Sequence, residues 1–514
     1  MNAIFVSQSG TIKMFHDLAL DLQREMEISE IGMVVSHRRS VKTFKKKHPR
    51  NLLKQFNVLS EWDITNSHKD VIVDHKLLEK YEQDLNVQGF RQALMVDRRI
   101  NNGKKCTYFQ DYKSRFSEHE QLQILQQSLI EVERLFDQVK PDFIVSFICV
   151  TLVEYLCNLF AKSRGIKILN IRPTRIGNYM TFGSDITEPS IFIRDRYLSI
   201  SHPNPETPFY EEATKIFNES RTSNYTYEGT SMSAKFSIPA KVCSYTLKVF
   251  KAYKLLNMAL IDLRIKYGDL RDNHDPGIIK PLYYEIILKP LLKLQIRKVL
   301  KKKYLKLTEL NDHNYIFFPL HTEPEKALLV DAPFYTNQIE VIRNISLSLP
   351  ANTILIVKDH PKSFGKRPIS FYNKILDIPN VRLIEPLLPT AQLVKQCQLV
   401  ITIAGSVGWE GILHEKPVMI LGNTPYEFLP DQMVTKISNI TDLPKLIASA
   451  IDNYMFDKEA VIRYLIASLT EAVPLNYYSI LLSRRNVNSK WSLDADWDSE
   501  INKLSAYTQL SLDK

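Results

Sequence analysis

"CQLVITIAGSVGWEGILHEKPVMILG", residues 397–422, decides the fold. An apolar run, Leu399 to Ile403, stops at Gly405-Ser406-Val407-Gly408, a short helix-like piece follows, and a second apolar run begins after Pro417. A buried strand opening onto a Gly/Ser turn and a helix start is the layout of a parallel α/β sheet, in which ligands sit at the carboxyl ends of strands. Glycines let the backbone approach an anion closely, and the free N–H groups of the helix start favour a phosphate. Ser406 is expected to cap the helix or to donate its hydroxyl to that phosphate. With Ser406 as N-cap, the capping-box position is 409, a tryptophan, so Glu410 is left to meet a ribose hydroxyl. The competing reading is a tight strand–helix turn with a surface glutamate.

Outward from this turn the same rhythm continues. "YIFFPL", "TILIVKDHP" and "VRLIEP" read as strands, separated by the helix "NQIEVIRNISLSL", and "DLPKLIASAIDNYM" reads as a closing helix. The first 195 residues alternate likewise: "AIFVSQ", "EIGMVVS", "VKPDFIVSF" and "IKILNIRPTRIGN" are strand-like, with helical spacing between them. Such alternation predicts parallel, doubly wound sheets. The expected organisation is an N-terminal Rossmann-like part over 1–195 and a polar connector with a basic helical segment over 196–311. A nucleotide-binding Rossmann-like part over 312–455 and C-terminal helices with a polar tail over 456–514 complete it. Residues 196–232 read as a long excursion or flexible connector, and 233–310 as helical, broken by Pro276, Pro281 and Pro290. Two Rossmann-like halves across a cleft, with a basic helical insertion between them, predict a GT-B-like α/β architecture.

Bulk properties fit. At 514 residues two domains are expected, and 44% hydrophobic and 10% aromatic content exclude a disordered or fibrous chain. Cysteines 106, 149, 157, 243 and 397 contain no CxxC, which argues against a disulfide framework or a zinc site and for a reducing cytoplasm. No basic n-region with a long apolar run opens the chain, so no signal peptide is expected. "FIVSFICVTLVEYLCNLFA", residues 143–161, imitates a membrane span but carries Glu154. It parses better as a strand, Phe143 to Phe147, and a helix reaching Lys162.

The net charge of +10 is clustered. Residues 37–54 and 289–306 each hold eight Lys/Arg and no acid. Interleaved with Leu, Ile and Val, the second block reads as a basic amphipathic helix for an anionic membrane surface, against the alternative of a helix that packs its apolar side on the protein. Neither block carries the aromatic platform that nucleic-acid binding calls for.

Two histidines join the Gly/Ser turn. His360 in "VKDHP" and His321 in "FFPLH" both end strands of one sheet, so His321, His360, Ser406, Gly408 and Glu410 are expected to line one crevice, with Lys358 beside it. A histidine there can donate to a phosphate or protonate a leaving phosphate. Arg172, Arg175 and Asn178 follow the strand "IKILNI" and are expected to meet an anionic acceptor or a sugar carboxylate across the cleft; surface arginines in a loop are the alternative. "DADWD", residues 494–498, spells the DxD of metal-dependent transferases but lies in a polar tail, so no metal is expected, and His48 in "FKKKHP" has no strand before it.

"YIFFPLHTEPE", "VDAPFYTNQIEVI", "LPANTILIVKDHP", "IPNVRLIEP" and "ITIAGSVGWEGILHEKPVMILG" follow one another as in bacterial capsular polysaccharide biosynthesis proteins. The segment resembles capsule Kdo transferases and shares a His-Pro element with bacterial sialyltransferases. The resemblance is strong over 312–450 and weaker over the first 190 residues. It implies a GT-B glycosyltransferase that uses a nucleotide sugar, CMP-Kdo by preference, with His360 and Ser406 on the donor phosphate and Lys358, Gly405, Val407, Gly408 and Glu410 around it. It further implies no resident cofactor and a lipid-linked or glycan acceptor at the inner face of the cytoplasmic membrane. The Asp/Glu-Asp/Glu-Gly motif of the sialyltransferases is missing, so no catalytic base is assigned. A sugar-nucleotide epimerase and a non-catalytic polysaccharide-binding or assembly protein are the alternatives.

Overall fold

The computed structural model describes residues 1–8, 10–101, 114–222, 226–229, 244–273, 275, 277–323, 325–484, 490–491 and 495–514. Two separate sheets form. The first contains β1 (Asn2–Ser7), β2 (Glu30–Val35), β3 (Asn57–Ser60), β4 (Phe143–Ser146), β5 (Lys167–Pro173) and β6 (Tyr179–Gly183). The second contains β7 (Asn314–Pro319), β8 (Thr353–Lys358), β9 (Val381–Ile384), β10 (Leu399–Thr402), β11 (Val418–Ile420) and β12 (Val434–Lys436). A last short strand, β13 (Val473–Pro474), returns to the first sheet.

The first sheet runs β13-β6-β5-β4-β1-β2-β3 and the second β12-β11-β10-β7-β8-β9. Every pairing in the second is parallel; in the first, β6 and β13 are antiparallel. Alternation of side chains about each strand feeds two cores per sheet. Ala3 and Phe5 pack in one layer and Ile4 and Val6 in the other; Tyr315 and Phe317 pack opposite Ile316 and Phe318. Both faces are covered, as parallel sheets require. Two Rossmann-like halves facing across a cleft give the protein a GT-B fold.

In the second sheet the chain runs β7-β8-β9 one way and β10-β11-β12 the other. The order reverses between β7 and β10, the switch point at whose carboxyl edge open α/β sheets bind ligands.

The membrane-like stretch is strand β4 followed by the helix Leu152–Ser163. Glu154 closes a capping box with Thr151, which explains a glutamate in that apolar run. Among the described residues no helix is long and apolar enough to cross a membrane.

Three expectations need correction. Among the described residues, the polar stretch after residue 195 carries packed helices: Ile191–Ser199 and Tyr210–Thr222 lie on the helix Lys458–Glu471, with Ala213 and Phe217 fully buried in the second half's core. Those apolar residues recur four apart, a stripe that the surrounding Glu, Lys and Asn conceal. The prolines of the basic segment do not all break it. Ile279–Tyr283 continues through a π-helical turn, Tyr284–Leu288, into the helix Lys289–Leu300, and the wider turn precedes Pro290 and accommodates its ring. Pro276 lies outside the described residues. The polar tail is a helix, Trp497–Asp513, that buries Ile501 and Leu504 against the first half. Asp496 of the DxD-like spelling caps this helix by accepting from Ser499 N–H at 2.9 Å; Asp494 lies outside the described residues.

Candidate functional site

The helix Ser406–Leu413 begins directly after β10, and its N-cap is Gly405. Ser406 is therefore the first helical residue, and its hydroxyl makes no capping bond. The N–H groups of Ser406, Val407 and Gly408 fall in the first turn, where a helix supplies no carbonyl partner. They lie at the carboxyl end of β10, beside its neighbour β7. Gly405 N–H is held by Thr402 Oγ1 at 3.2 Å, and Gly405 C=O accepts from the Tyr426 hydroxyl at 2.6 Å. That hydroxyl stands where a side chain at Gly408 would go: a Cβ there would lie 2.1 Å from it.

His321 follows β7 and reaches this turn. Its Nε2 accepts from Ala404 N–H at 3.3 Å, and a Cβ at Gly405 would come within 3.2 Å of the same nitrogen. The side chain is buried, and burial, aided by the charge of His360 and nearby arginines, pushes its pKa down to about 3. The ring is neutral at pH 7, and with Nε2 accepting, its proton sits on Nδ1. That buried Nδ1–H has no hydrogen-bond partner. An orphaned buried donor beside a helix start is what a phosphate oxygen satisfies.

His360 lies just beyond β8. Its Nδ1 accepts from Lys362 N–H at 3.0 Å, so in the neutral ring Nε2 carries the proton. Burial, with Lys362 and Lys358 nearby, lowers its pKa to about 4. Two neutral imidazoles, each oriented by one backbone N–H, thus each present the other nitrogen as a donor. A bound dianion would raise both pKa values and favour the imidazolium.

Lys358, the last residue of β8, is buried and donates to Thr390 Oγ1 at 3.0 Å. It faces Glu410, whose pKa burial raises to about 7 while the charges of Lys358 and Arg175 pull it back. Across the cleft, the β5–β6 turn inserts into the second half. Ile176 is fully buried in a core with Trp409, Ile412 and Tyr426. Arg175, at φ 65°, is brought near enough to Glu410 and His321 for its charge to bear on both.

The other two residues of that group are employed differently. The Arg172 guanidinium donates to Asn170 Oδ1 at 2.9 Å and to the carbonyls of Asp185 and Glu188, so it ties a turn of its own half. Asn178 offers its carbonyl to Leu475 N–H at 2.9 Å, the link that brings the tail to β6.

Several supporting residues carried no sequence signal. Gln338 pairs with both backbone groups of His321, accepting from its N–H at 2.7 Å and donating to its C=O at 3.2 Å. Arg367, fully enclosed, donates to His321 C=O and lies 3.6 Å from Asp359 and 3.4 Å from Glu323. Asp359 accepts from Tyr372 OH at 2.6 Å and from His360 N–H at 2.8 Å, which marks it as a structural carboxylate. In the sequence Arg367 sits in "KSFGKRP" and Tyr426 in "NTPYEF", where each reads as an ordinary loop residue.

The fold is that of a GT-B protein, with His321, His360 and the Gly405–Gly408 turn at the switch point of its second sheet. Residues 249–464 match the model of the capsule polysaccharide biosynthesis protein family. Among solved structures, the chain is similar to the Thermosulfurimonas dismutans KpsC beta Kdo 2,4 transferase, at 10% identity over 70% of this chain and 86% of that one, with a TM-score of 0.34. The beta Kdo 2,7 transferase of the same protein matches at 12% identity over 75% and 90%, with a TM-score of 0.31. The Neisseria meningitidis UDP-GlcNAc 2-epimerase bound to UDP-GlcNAc matches at 16% identity over 91% and 97%, with a TM-score of 0.27. No curated protein matches the chain.

Proposed function

We propose that the protein is a metal-independent glycosyltransferase of capsular or surface polysaccharide synthesis. It takes a sugar from a nucleotide donor, CMP-Kdo as the leading candidate, to a lipid-linked or glycan acceptor. The observation that supports this reading is the buried, unpartnered Nδ1–H of His321, whose Nε2 accepts from Ala404 N–H beside the start of the helix Ser406–Leu413. In transfer, the bond between the anomeric carbon and the donor phosphate oxygen breaks, an acceptor oxygen bonds to that carbon, and negative charge grows on the departing phosphate. Preorganised donors aimed at that oxygen stabilise the charge as it develops. Glu410 would accept from a ribose hydroxyl, and Arg175 would pair with a carboxylate on the sugar. The basic face of 289–306 would hold the protein at the anionic inner face of the cytoplasmic membrane, where a lipid-linked acceptor resides.

Thermal shift against CMP, UDP, GDP and their sugar conjugates tests the reading, since a ligand of the native state stabilises it by mass action. Stabilisation by one of these nucleotides is expected, together with transfer that His360→Ala lowers by roughly 10²–10⁴-fold. Unchanged turnover in that variant would make His360 structural. Interconversion of a nucleotide sugar without an acceptor would favour an epimerase, and nucleotide indifference a polysaccharide-binding protein.

A further inference from the structure

Thirteen of the twenty-four exposed large apolar side chains among the described residues lie between Tyr253 and Val299. They belong to a helical hairpin, Ser244–Tyr267 and Ile279–Leu300. Soluble proteins rarely leave so much apolar surface in one place without a use for it.

The first helix shows the pattern most clearly. Tyr253, Leu256, Leu260, Leu263 and Tyr267 recur at spacings of three and four and so share one face. They are 64%, 63%, 52%, 55% and 82% exposed. The opposite face holds the buried Ile265 and Asp262, the latter accepting from Ile278 N–H at the hairpin's tip. Asp262 is the only acid between Tyr253 and Tyr267, so the outward stripe is flanked by Lys254, Arg264 and Lys266 alone. On the second helix Ile296 and Leu300 enter the core of the second half, while Leu291 and Leu294 point out at 52% and 62% exposure. Exposed Arg297, Lys298, Lys301 and Lys302 continue beyond them.

The hairpin's position gives the stripe meaning. Its tip rests on the first half: Asn273 Nδ2 donates to Thr65 C=O at 2.8 Å, Asn66 Nδ2 to Arg271 C=O at 3.0 Å, and Lys42 pairs with Asp269. Thr65 and Asn66 lie just past the carboxyl end of β3. Its second helix rests on the loop that follows β8 and carries His360: Tyr284 OH donates to Gly365 C=O at 3.4 Å. Gly365, at φ 84°, has no room for a side chain, since a Cβ would meet Lys293 Cγ at 2.3 Å. The hairpin therefore bridges the two halves, touching the helix that follows β3 and the loop that follows β8.

We propose that this hairpin seats the protein on an anionic lipid bilayer, with the Tyr253–Tyr267 stripe buried among the acyl chains and the surrounding lysines and arginines on the headgroups. Leucines bounded by tyrosines suit the interface, where Tyr rings settle at headgroup level. The charge of the surround decides between occupants. A second copy laid on the stripe would bring like charges together, whereas phosphate headgroups complement them. Such seating sets the cleft against the lipid surface, so a lipid-linked acceptor would enter it without leaving the bilayer. This extends the membrane part of the function proposed above and rests on it for the acceptor alone.

Flotation of the full chain with phosphatidylglycerol–phosphatidylethanolamine vesicles, against pure phosphatidylcholine, is the test. The wild type is expected to float with the anionic vesicles, and Leu256→Glu/Leu260→Glu/Leu263→Glu to partition about 100-fold or more weakly. The substituted side chains are exposed, so the variant should keep the wild-type unfolding transition and its nucleotide-induced thermal shift. Leu260→Trp should add emission that brominated lipid quenches. Undiminished flotation of the triple variant, or an unquenched Trp at 260 in vesicle-bound protein, would overturn insertion in favour of charge alone. A lipid-free dimer that the triple substitution dissociates, without flotation of either protein, would overturn it in favour of a second copy. Flotation without any nucleotide response would leave the seating intact and remove the transferase reading.

Discussion

At His321 and His360 a backbone N–H occupies one ring nitrogen and so fixes where each neutral ring carries its proton. Neither tautomer can be read from a sequence: "FFPLH" and "VKDHP" show where the rings start, not which N–H donors meet them. The Gly/Ser stretch was legible as a strand-to-helix turn, yet its cap was misplaced by one residue, because Gly405 takes the extended conformation that an N-cap needs. Two predictions belong here. Gly408→Ala drives a Cβ into the Tyr426 hydroxyl and should cost about 1–3 kcal/mol in chemical denaturation. Adding Tyr426→Phe removes the clashing oxygen and should restore part of that loss, at the expense of the bond to Gly405 C=O. The second concerns Glu410, whose carboxyl holds its proton up to about pH 7 in the fold but only to its ordinary value near 4.5 when unfolded. The folded chain binds more protons in that window, so this group's stabilisation is complete below pH 4.5 and is lost as pH rises through 7. Glu410→Gln should therefore melt higher than wild type at pH 8, by about 2 °C or more, with the difference shrinking toward pH 5. The same variant should bind the nucleotide more weakly.

At the scale of elements, the β5–β6 turn is the piece that composition could not place. "RPTRIGN" looks like a solvated loop, but its Ile176 is an anchor in the opposite half and its Arg175 is carried with it. Strand β5 itself was evident from "IKILNI"; its partner across the cleft depends on tertiary packing, which leaves no local period to find. Ile176→Ala should cost about 2–4 kcal/mol, the loss expected of a buried aliphatic side chain. Arg175→Ala is expected to spare stability relative to Ile176→Ala. In calorimetry it should weaken binding of an acidic-sugar conjugate of CMP more than binding of CMP alone. Equal losses for both ligands would move Arg175 from the sugar to the phosphate.

For the molecule as a whole, the strand–helix rhythm foretold two parallel sheets, which holds for the second and for β1–β5 of the first but not for the antiparallel β6 and β13; buried parallel strands are legible because they are nearly continuous apolar runs. The return of the chain was not. From Val473 onward it leaves the second half, pairs β13 with β6, stacks Tyr507 on Phe182 at 5.0 Å, and sets Trp497 under Lys13 with its Nε1–H on Asp17 at 2.9 Å. Deleting residues 497–514 should uncover the apolar bed of Ile501 and Leu504 and lower the melting temperature of the first half, seen as loss of amide protection in β5 and β6 while β7–β11 stay protected. This closure also orders events in time. β6 is made early, and its free edge has no strand to pair with until the ribosome has delivered the entire second half and the two residues of β13. The N-terminal sheet is thus the first begun and the last finished. The interval between is when an unpaired edge is open to a wrong neighbour, so the protein's yield on synthesis should be governed by residues 473–514 more than by the core of its second half.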